Sequence, residues 1–154
     1  MNQRIHKSFK LNGVSHNEQS LLKKITSNRD LLFLKSLIAS WFDTNNYLEV
    51  KTSGSTGNPK KMKIPKVDFI ESCLLTKKTF DLNEKSRVIN CLPVDYIAGK
   101  MMFIRALVLG LDIYTFPIKS KPINKIKSNY DLIAMTPLQL ANSVHKIERI
   151  KNVI

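Results

Sequence analysis

Acidic residues are scarce in this sequence. Asp and Glu number 12 against 25 Lys and Arg, giving a formal net charge of +13. That deficit favours anionic partners, among them nucleotides, nucleic acid, CoA and membrane surfaces, without choosing between them. The basic residues are nevertheless dispersed. The densest groups are Lys119, Lys121, Lys125 and Lys127, then Lys60, Lys61, Lys63 and Lys66. No run of five or six like charges occurs, which argues against a disordered basic tail. Cysteine is nearly absent. Cys73 and Cys91 lie far apart in apolar surroundings, with neither CxxC spacing nor a nearby histidine. They read as buried free thiols, which fits a reducing, cytoplasmic setting. Long hydrophobic runs are missing as well. The first ten residues hold no apolar core of signal-peptide length, and Met101–Leu111 is short and contains Arg105. Neither approaches the roughly 20 apolar residues of a membrane span. Internal repeats and low-complexity linkers are absent too.

What remains is an ordinary globular composition, 43% hydrophobic over 154 residues, enough for one domain with a core. From Asn17 to Asn45 the pattern is helical, with Leu34, Leu37, Ile38 and Trp41 forming one apolar stripe. Tyr47–Thr52 reads as a strand, and Met62–Ile64 as its returning partner in a hairpin. Pro65–Phe80 reads as a helix with Ile70, Cys73 and Leu74 on one face. Then come a strand at Arg87–Leu92 and a helix at Ile97–Leu109 with Ile97, Met101, Ile104 and Val108 inward. A strand at Leu111–Phe116 follows, then a short helix around Pro122–Ser128. The last elements are a strand at Asp131–Met135 and a helix at Leu138–Lys151 bearing Leu140, Val144 and Ile147. Asn152–Ile154 resembles the start of another strand. This alternation predicts an α/β fold, a mostly parallel sheet flanked by helices. Its short apolar strands suit a sheet covered on both faces. Ligands in such sheets bind at the carboxyl ends of the strands, and Thr52, Leu92 and Met135 stand at such ends.

The segment Thr52–Lys60, TSGSTGNPK, carries the chemistry. Gly54 and Gly57 let backbone N–H groups converge on an anion. The hydroxyls of Thr52, Ser53, Ser55 and Thr56 supply rotatable hydrogen bonds to phosphate oxygens, and Lys60 adds a mobile positive charge. Pro59 restricts Asn58 and stiffens the exit. A Walker A loop would place lysine directly after the glycine at the mouth of a helix, and this segment does not. The alternative is a polar hairpin turn, but the whole string is far more specific than its two glycines.

TSGSTGNPK resembles the signature loop of the adenylate-forming superfamily, which holds acyl-CoA synthetases, luciferases and peptide-synthetase adenylation domains. Within it, LPVDYIAGKMMFIR at Leu92–Arg105 and MTPLQLANSV at Met135–Val144 resemble the o-succinylbenzoate–CoA ligases of menaquinone biosynthesis. The likeness runs from about Trp41 to the end of the chain. It implies residues 1–45 as an N-terminal helical entry and 46–154 as an incomplete AMP-binding α/β domain, part of the family's large N-terminal domain. It implies a two-step ligase: a carboxylate attacks the α-phosphate of ATP, and CoA thiol then displaces AMP. By that resemblance Thr52, Ser53, Ser55, Thr56 and Lys60 contact phosphate, Gly54 and Gly57 permit the approach, and Mg2+ assists. Relatives often carry His where this chain has Tyr96, and tyrosine cannot titrate as histidine would near neutral pH. Tyr96 is instead a candidate to stack on the acyl group or gate its pocket. Gly99 would either open space for the acyl chain or allow close helix packing. Lys100 and Arg105 are either partners for the distal carboxylate of the acid or solvated helix-surface cations. His6, His16 and His145 have no carboxylate or cysteine partner at useful spacing, and no residue here is singled out as a metal ligand.

The family's later motifs are not in the sequence: the glycine-rich adenine-pocket segment, the Gly-x-Thr-Glu magnesium motif, the ribose-binding aspartate and the C-terminal catalytic lysine. The expectation is an N-terminal part of a ligase that does not make acyl-CoA by itself, completed by a C-terminal part or by self-association. Two other readings stay in view. One is a non-catalytic phosphate- or nucleotide-binding remnant. The other is a basic nucleic-acid-binding protein, which lacks interleaved aromatics, helix-turn-helix signals and zinc spacing.

Overall fold

The computed structural model of the chain describes residues 4–51 and 61–154. The chain opens with two short strands, β1 (Lys10–Leu11) and β2 (Val14–Ser15), before any helix. This start was not expected in a segment read as helical entry. The cause is local: Asn12 and Gly13 both take positive φ, 52° and 82°. That is the backbone a tight two-residue hairpin turn requires, and Asn-Gly is the dipeptide that best tolerates it. Helix α1 (Glu18–Ser27) follows, with Asn17 and Ser20 forming a reciprocal capping box. Asn28 then ends α1, and its side chain caps a 3₁₀ segment, Arg29–Leu34. Helix α2 (Lys35–Phe42) completes the group. The helical stretch is thus three pieces rather than one, yet the stripe of Leu34, Leu37, Ile38 and Trp41 is buried as expected.

Strands β3 (Tyr47–Lys51) and β4 (Lys61–Pro65) form a separate antiparallel hairpin. Helix α3 (Lys66–Thr79) leads from it. The buried face of α3 is Lys66, Phe69, Cys73 and Thr76, while Leu74 is exposed. Cys73 is inward as expected and Ile70 packs partly buried against the core, so the inward stripe is turned from the expected one by less than one residue's 100°, enough to expose Leu74. Then come β5 (Arg87–Asn90), α4 (Ile97–Leu109), β6 (Asp112–Thr115), β7 (Tyr130–Ile133), α5 (Pro137–Ala141) and β8 (Ile150–Val153). The main sheet has six strands in the order β2-β1-β6-β5-β7-β8, with every pair parallel except β1 with β2. The chain therefore leaves β5 on one side to form β6 and returns on the other to form β7.

Both faces of the sheet are covered. Val88, Ile113 and Leu132 pack into the cluster that holds α4 and the N-terminal helices. Their neighbours Ile89 and Ile133 pack on the opposite face with Ile123, Ile126 and Tyr130. This is the period-two alternation of strands buried on both sides. Helix α4 is buried over most of its circumference, including Met101 and Ile104, although Ile97 stays 40% exposed. Gly110, with φ 74°, ends it in a left-handed cap.

Two expected helices differ. Residues 122–125 form a turn, with the Ile126 N–H donating to the Ile123 carbonyl, and no helix forms over 122–128. Leu138–Lys151 is not continuous: α5 stops at Ala141, a 3₁₀ segment covers Val144–Arg149, and Ile150 already begins β8. Leu140 and Val144 are exposed rather than inward. Residue 152 pairs with Leu132 in the parallel ladder, so the terminal strand is present and starts earlier than expected.

The two thiols are fully buried, and burial pushes each up to about 12. An ordinary aqueous thiol reagent acts on the thiolate. At pH 8 the folded protein should therefore show almost no reaction with such a reagent. Denaturation should release both thiols within minutes, as read by absorbance titration.

Candidate functional site

The hairpin sets the site. Its ladder runs from Tyr47↔Pro65 to Lys51↔Lys61. Lys51 and Lys61 therefore end adjacent strands side by side, about 4.8 Å apart in the hydrogen-bonding direction. The expected phosphate-binding residues Thr52, Ser53, Gly54, Ser55, Thr56, Gly57 and Lys60 lie outside the described residues. Their frame does not, and it is cationic. Lys51 and Lys61 stand directly opposite each other at the mouth. Like charges across a ladder are unfavourable by roughly 0.2–1 kcal/mol. An anion held between them relieves that repulsion. Further down, Lys63 Nζ sits 4.5 Å from the centre of the Tyr47 ring.

The start of α4 meets this mouth. Tyr96, the residue before the helix, forms a one-residue parallel bridge with Lys51. Tyr96 is 41% exposed. One turn on, Lys100 is buried and donates from Nζ to the Glu49 carbonyl at 2.7 Å. Burial lowers the Lys100 pKa, opposed by the nearby Asp95 and Glu49 carboxylates. Gly99 lies against the Leu92–Pro93 backbone. A β-carbon there would approach the Leu92 carbonyl oxygen to 2.7 Å and the Pro93 oxygen more closely still. Of the two roles considered for Gly99, close packing is what this contact supplies. Arg105 is placed elsewhere. Five residues beyond Lys100 it points about 140° away around the helix, and its Nε donates to Thr76 Oγ1 of α3 at 3.1 Å. Tyr96, Gly99 and Lys100 are therefore gathered at the hairpin mouth, and Arg105 belongs to the α3–α4 interface.

A polar cleft of about 350 Å³ opens beside the mouth, lined in part by Ser40, Asp43, Lys51, Lys61, Asp95 and Lys100. At its base Lys66 Nζ pairs with Asp43 Oδ1 at 2.8 Å. That hydrogen bond, with a second from Asn45, holds the Asp43 carboxyl below its usual range.

The carboxyl edge of the main sheet has its own organiser, unremarked in the sequence. Between β5 and β7 the strand order reverses, which is where open α/β sheets bind ligands. Gln139 fills that point. Its Nε2 donates to the carbonyls of Cys91 (3.2 Å) and Lys119 (3.0 Å), and its Oε1 accepts from the Thr136 N–H at 3.0 Å. The Thr136–Gln139 spacing, that of a capping box, is the sequence signal that could have pointed to it. The histidines stand apart from this region. His6 Nε2 is 4.0 Å from Glu84, His16 Nδ1 is 3.3 Å from Ser20 Oγ, and His145 is 3.2 Å from Asn124. Among the described residues no three His, Cys, Asp or Glu side chains gather as a metal site. No helix among them is long and apolar enough to cross a membrane.

A parallel sheet covered on both faces, with a hairpin projecting beside the helix after its central strand, defines the class. The chain has the α/β fold of the N-terminal domain of AMP-forming ligases and resembles the adenylate-forming superfamily. It is similar to an acyl-CoA synthetase (AMP-forming)/AMP-acid ligase II-like protein from Dyadobacter fermentans. That match has 26% identity and a TM-score of 0.75, over 87% of this chain and 41% of the other. O-succinylbenzoate Coenzyme A synthetase from Bacillus subtilis in complex with AMP matches at 20% identity and a TM-score of 0.56. It covers 68% of this chain and 29% of its own. The same enzyme with ATP and magnesium matches at 19% identity and a TM-score of 0.57, over 68% and 24%. At these identities the Bacillus structures speak to fold alone. The chain spans less than half the length of each of these structures. No protein-family model and no curated protein sequence matches it.

Proposed function

We propose that this chain is the phosphate-handling part of an ATP-dependent acid–CoA ligase that forms an acyl-adenylate and then an acyl-CoA. The observation that carries the reading is the antiparallel frame of β3 and β4, closed by Lys51 and Lys61, around a TSGSTGNPK segment. In the proposed reaction the loop amides and hydroxyls bind the β- and γ-phosphates while Lys51, Lys60 and Lys61 offset their charge. The cationic mouth suits triphosphate. Magnesium is assigned to the nucleotide's own phosphates, since Mg2+ is commonly held by substrate phosphates with one or two carboxylates. CoA is the proposed co-substrate, and the acid is proposed to be o-succinylbenzoate or a close analogue. Support for the acid is the LPVDYIAGKMMFIR and MTPLQLANSV resemblance, with Tyr96 and Gly99 at the mouth and Lys100 beside them.

The chain by itself is proposed to bind phosphate without completing thioester formation, because it corresponds to under half of the ligase-like structure from Dyadobacter fermentans. Titration calorimetry tests the reading. Pyrophosphate or ATP-Mg should bind the wild type, and Lys60→Ala and Gly57→Val should each weaken that binding. Removal of one charged phosphate contact is worth roughly 1.5–3 kcal/mol, or about ten- to a hundredfold in affinity. Equal binding by all three proteins would overturn it. Binding of DNA or RNA with steep salt dependence, in place of pyrophosphate, would favour the nucleic-acid reading instead.

A further inference from the structure

The β3–β4 hairpin joins the rest of the molecule by side-chain packing rather than by sheet pairing. It forms its own two-stranded sheet, and none of its residues pairs with the six-stranded one. Its outer strand is exposed at Lys61, Met62, Lys63 and Pro65. Its buried anchors are Leu48 and Val50 of the inner strand. At the end remote from the loop, Lys66 N–H donates to the Asn46 carbonyl at 2.7 Å. At the loop end, among the described residues, the Lys51–Tyr96 bridge and Lys100 hold it.

We propose that Lys100 is a positioning residue, a buried cationic latch that fixes the loop end of the hairpin to α4. The inference rests on the ligase reading only for its functional consequence. Lys100 reaches across 51 residues of sequence to the Glu49 carbonyl, two residues before the loop mouth. Lys100 is buried together with Gly99, although Ile97 and Ala98 before them are exposed, so its position is set by the packing of α4. A charged donor on a backbone carbonyl is among the stronger hydrogen bonds, and burial strengthens it. Glu49 itself is exposed at the cleft, so the bond lies where the inner strand meets the start of α4. This occupies the ammonium that would otherwise be free to bind the distal carboxylate of an acid. The lowered pKa of Lys100 agrees with its burial. Asp95 and Glu49 oppose that lowering, and Lys51 adds to it.

Amide hydrogen exchange on the full chain tests the latch directly. Lys100→Met keeps the length of the side chain and removes the donor. Exchange at the amides of 48–51 and 61–64 should then quicken by about tenfold, as expected for loss of a charged hydrogen bond. The amides of Val88, Ile113 and Leu132 should keep their wild-type rates. Lys100→Arg, which retains a charged donor, should restore hairpin protection. If Lys100→Met does not fold, Lys100→Gln is read in the same way, with a shorter neutral donor. Unchanged hairpin rates, or equal acceleration in hairpin and main sheet, would overturn the proposal. Pyrophosphate affinity, measured in parallel, should fall in Lys100→Met and recover in Lys100→Arg. If the wild type binds no pyrophosphate while Lys100→Met still frees the hairpin, the ligase reading fails and the latch stands.

Discussion

Gly99→Val should leave the chain without a cooperative unfolding transition at 25 °C, and Gly99→Ala should lower its stability by about 1–3 kcal/mol, the usual cost of overpacking. The sign matters here. In an exposed helix interior, replacing glycine by alanine stabilises by up to about 1 kcal/mol, because glycine carries more backbone entropy into the folded state. At position 99 the gain is overturned by space. The obstructing atoms are the carbonyl oxygens of Leu92 and Pro93, not the far end of a flexible side chain. Relief requires α4 to slide away from the end of β5, and with it Tyr96 and Lys100. Valine adds two further methyl groups to the same gap and stiffens χ1 within a helix. Urea titrations followed by circular dichroism measure both variants. A Gly99→Ala protein as stable as the wild type would show that α4 can shift freely. Pyrophosphate binding to that variant would then show whether the site follows the shift.

Trp41→Ala should be comparably severe, costing about 3–5 kcal/mol as large-to-small core changes do. Trp41 is 1% exposed, and its indole Nε1 donates to the Arg4 carbonyl at 2.6 Å. Arg4 in turn donates to the carbonyls of Phe42 (2.5 Å) and Asp43 (2.6 Å), at the end of the same helix. The substitution thus opens a cavity in the main core and leaves the Arg4 carbonyl without its donor. A typical small domain has only 5–15 kcal/mol in total. Trp41→Phe keeps much of the ring and loses the hydrogen bond, so it should cost distinctly less. Because Trp41 is the sole tryptophan, circular dichroism rather than fluorescence must report the transition. Equal stability of Trp41→Ala and the wild type would overturn the reading of Trp41 as a core anchor.

These residues also mark what could be read from the sequence. The strands β5, β6 and β7 were legible because each is a short apolar run between breakers, and a parallel sheet buried on both faces demands that pattern. The hairpin around TSGSTGNPK was legible because strand signals flanked a glycine-rich string. Leu74 was misassigned because α3 packs along Phe69, Cys73 and Thr76, a stripe that a threonine disguises. The break in Leu138–Lys151 was hidden because Asn142 and Ser143 look tolerable within a helix, while tertiary pairing with β7 draws Ile150 into the sheet. The β1–β2 turn carried a readable Asn-Gly signal, but strands of two residues show no periodicity to go with it. In the site, Tyr96, Gly99 and Lys100 were selected from one motif, whereas Arg105 from the same motif faces α3. Helical phase separates them, and motif membership does not record phase. The bond from Lys100 to Glu49 could not be read at all, since its acceptor is a backbone atom with no residue-type signature.

The place of β1 also bears on how the chain is made. Lys10 and Leu11 pair with Asp112 and Ile113. During synthesis the early strand emerges long before its partner exists. At about 5–20 residues per second, the interval is roughly 5–20 s. Through that time Phe9 and Leu11, both buried in the finished protein, have no sheet to join. The edge of β6 is capped only when this early segment folds back on it. A nascent chain held before residue 112 is therefore the form most exposed to chaperones and proteases.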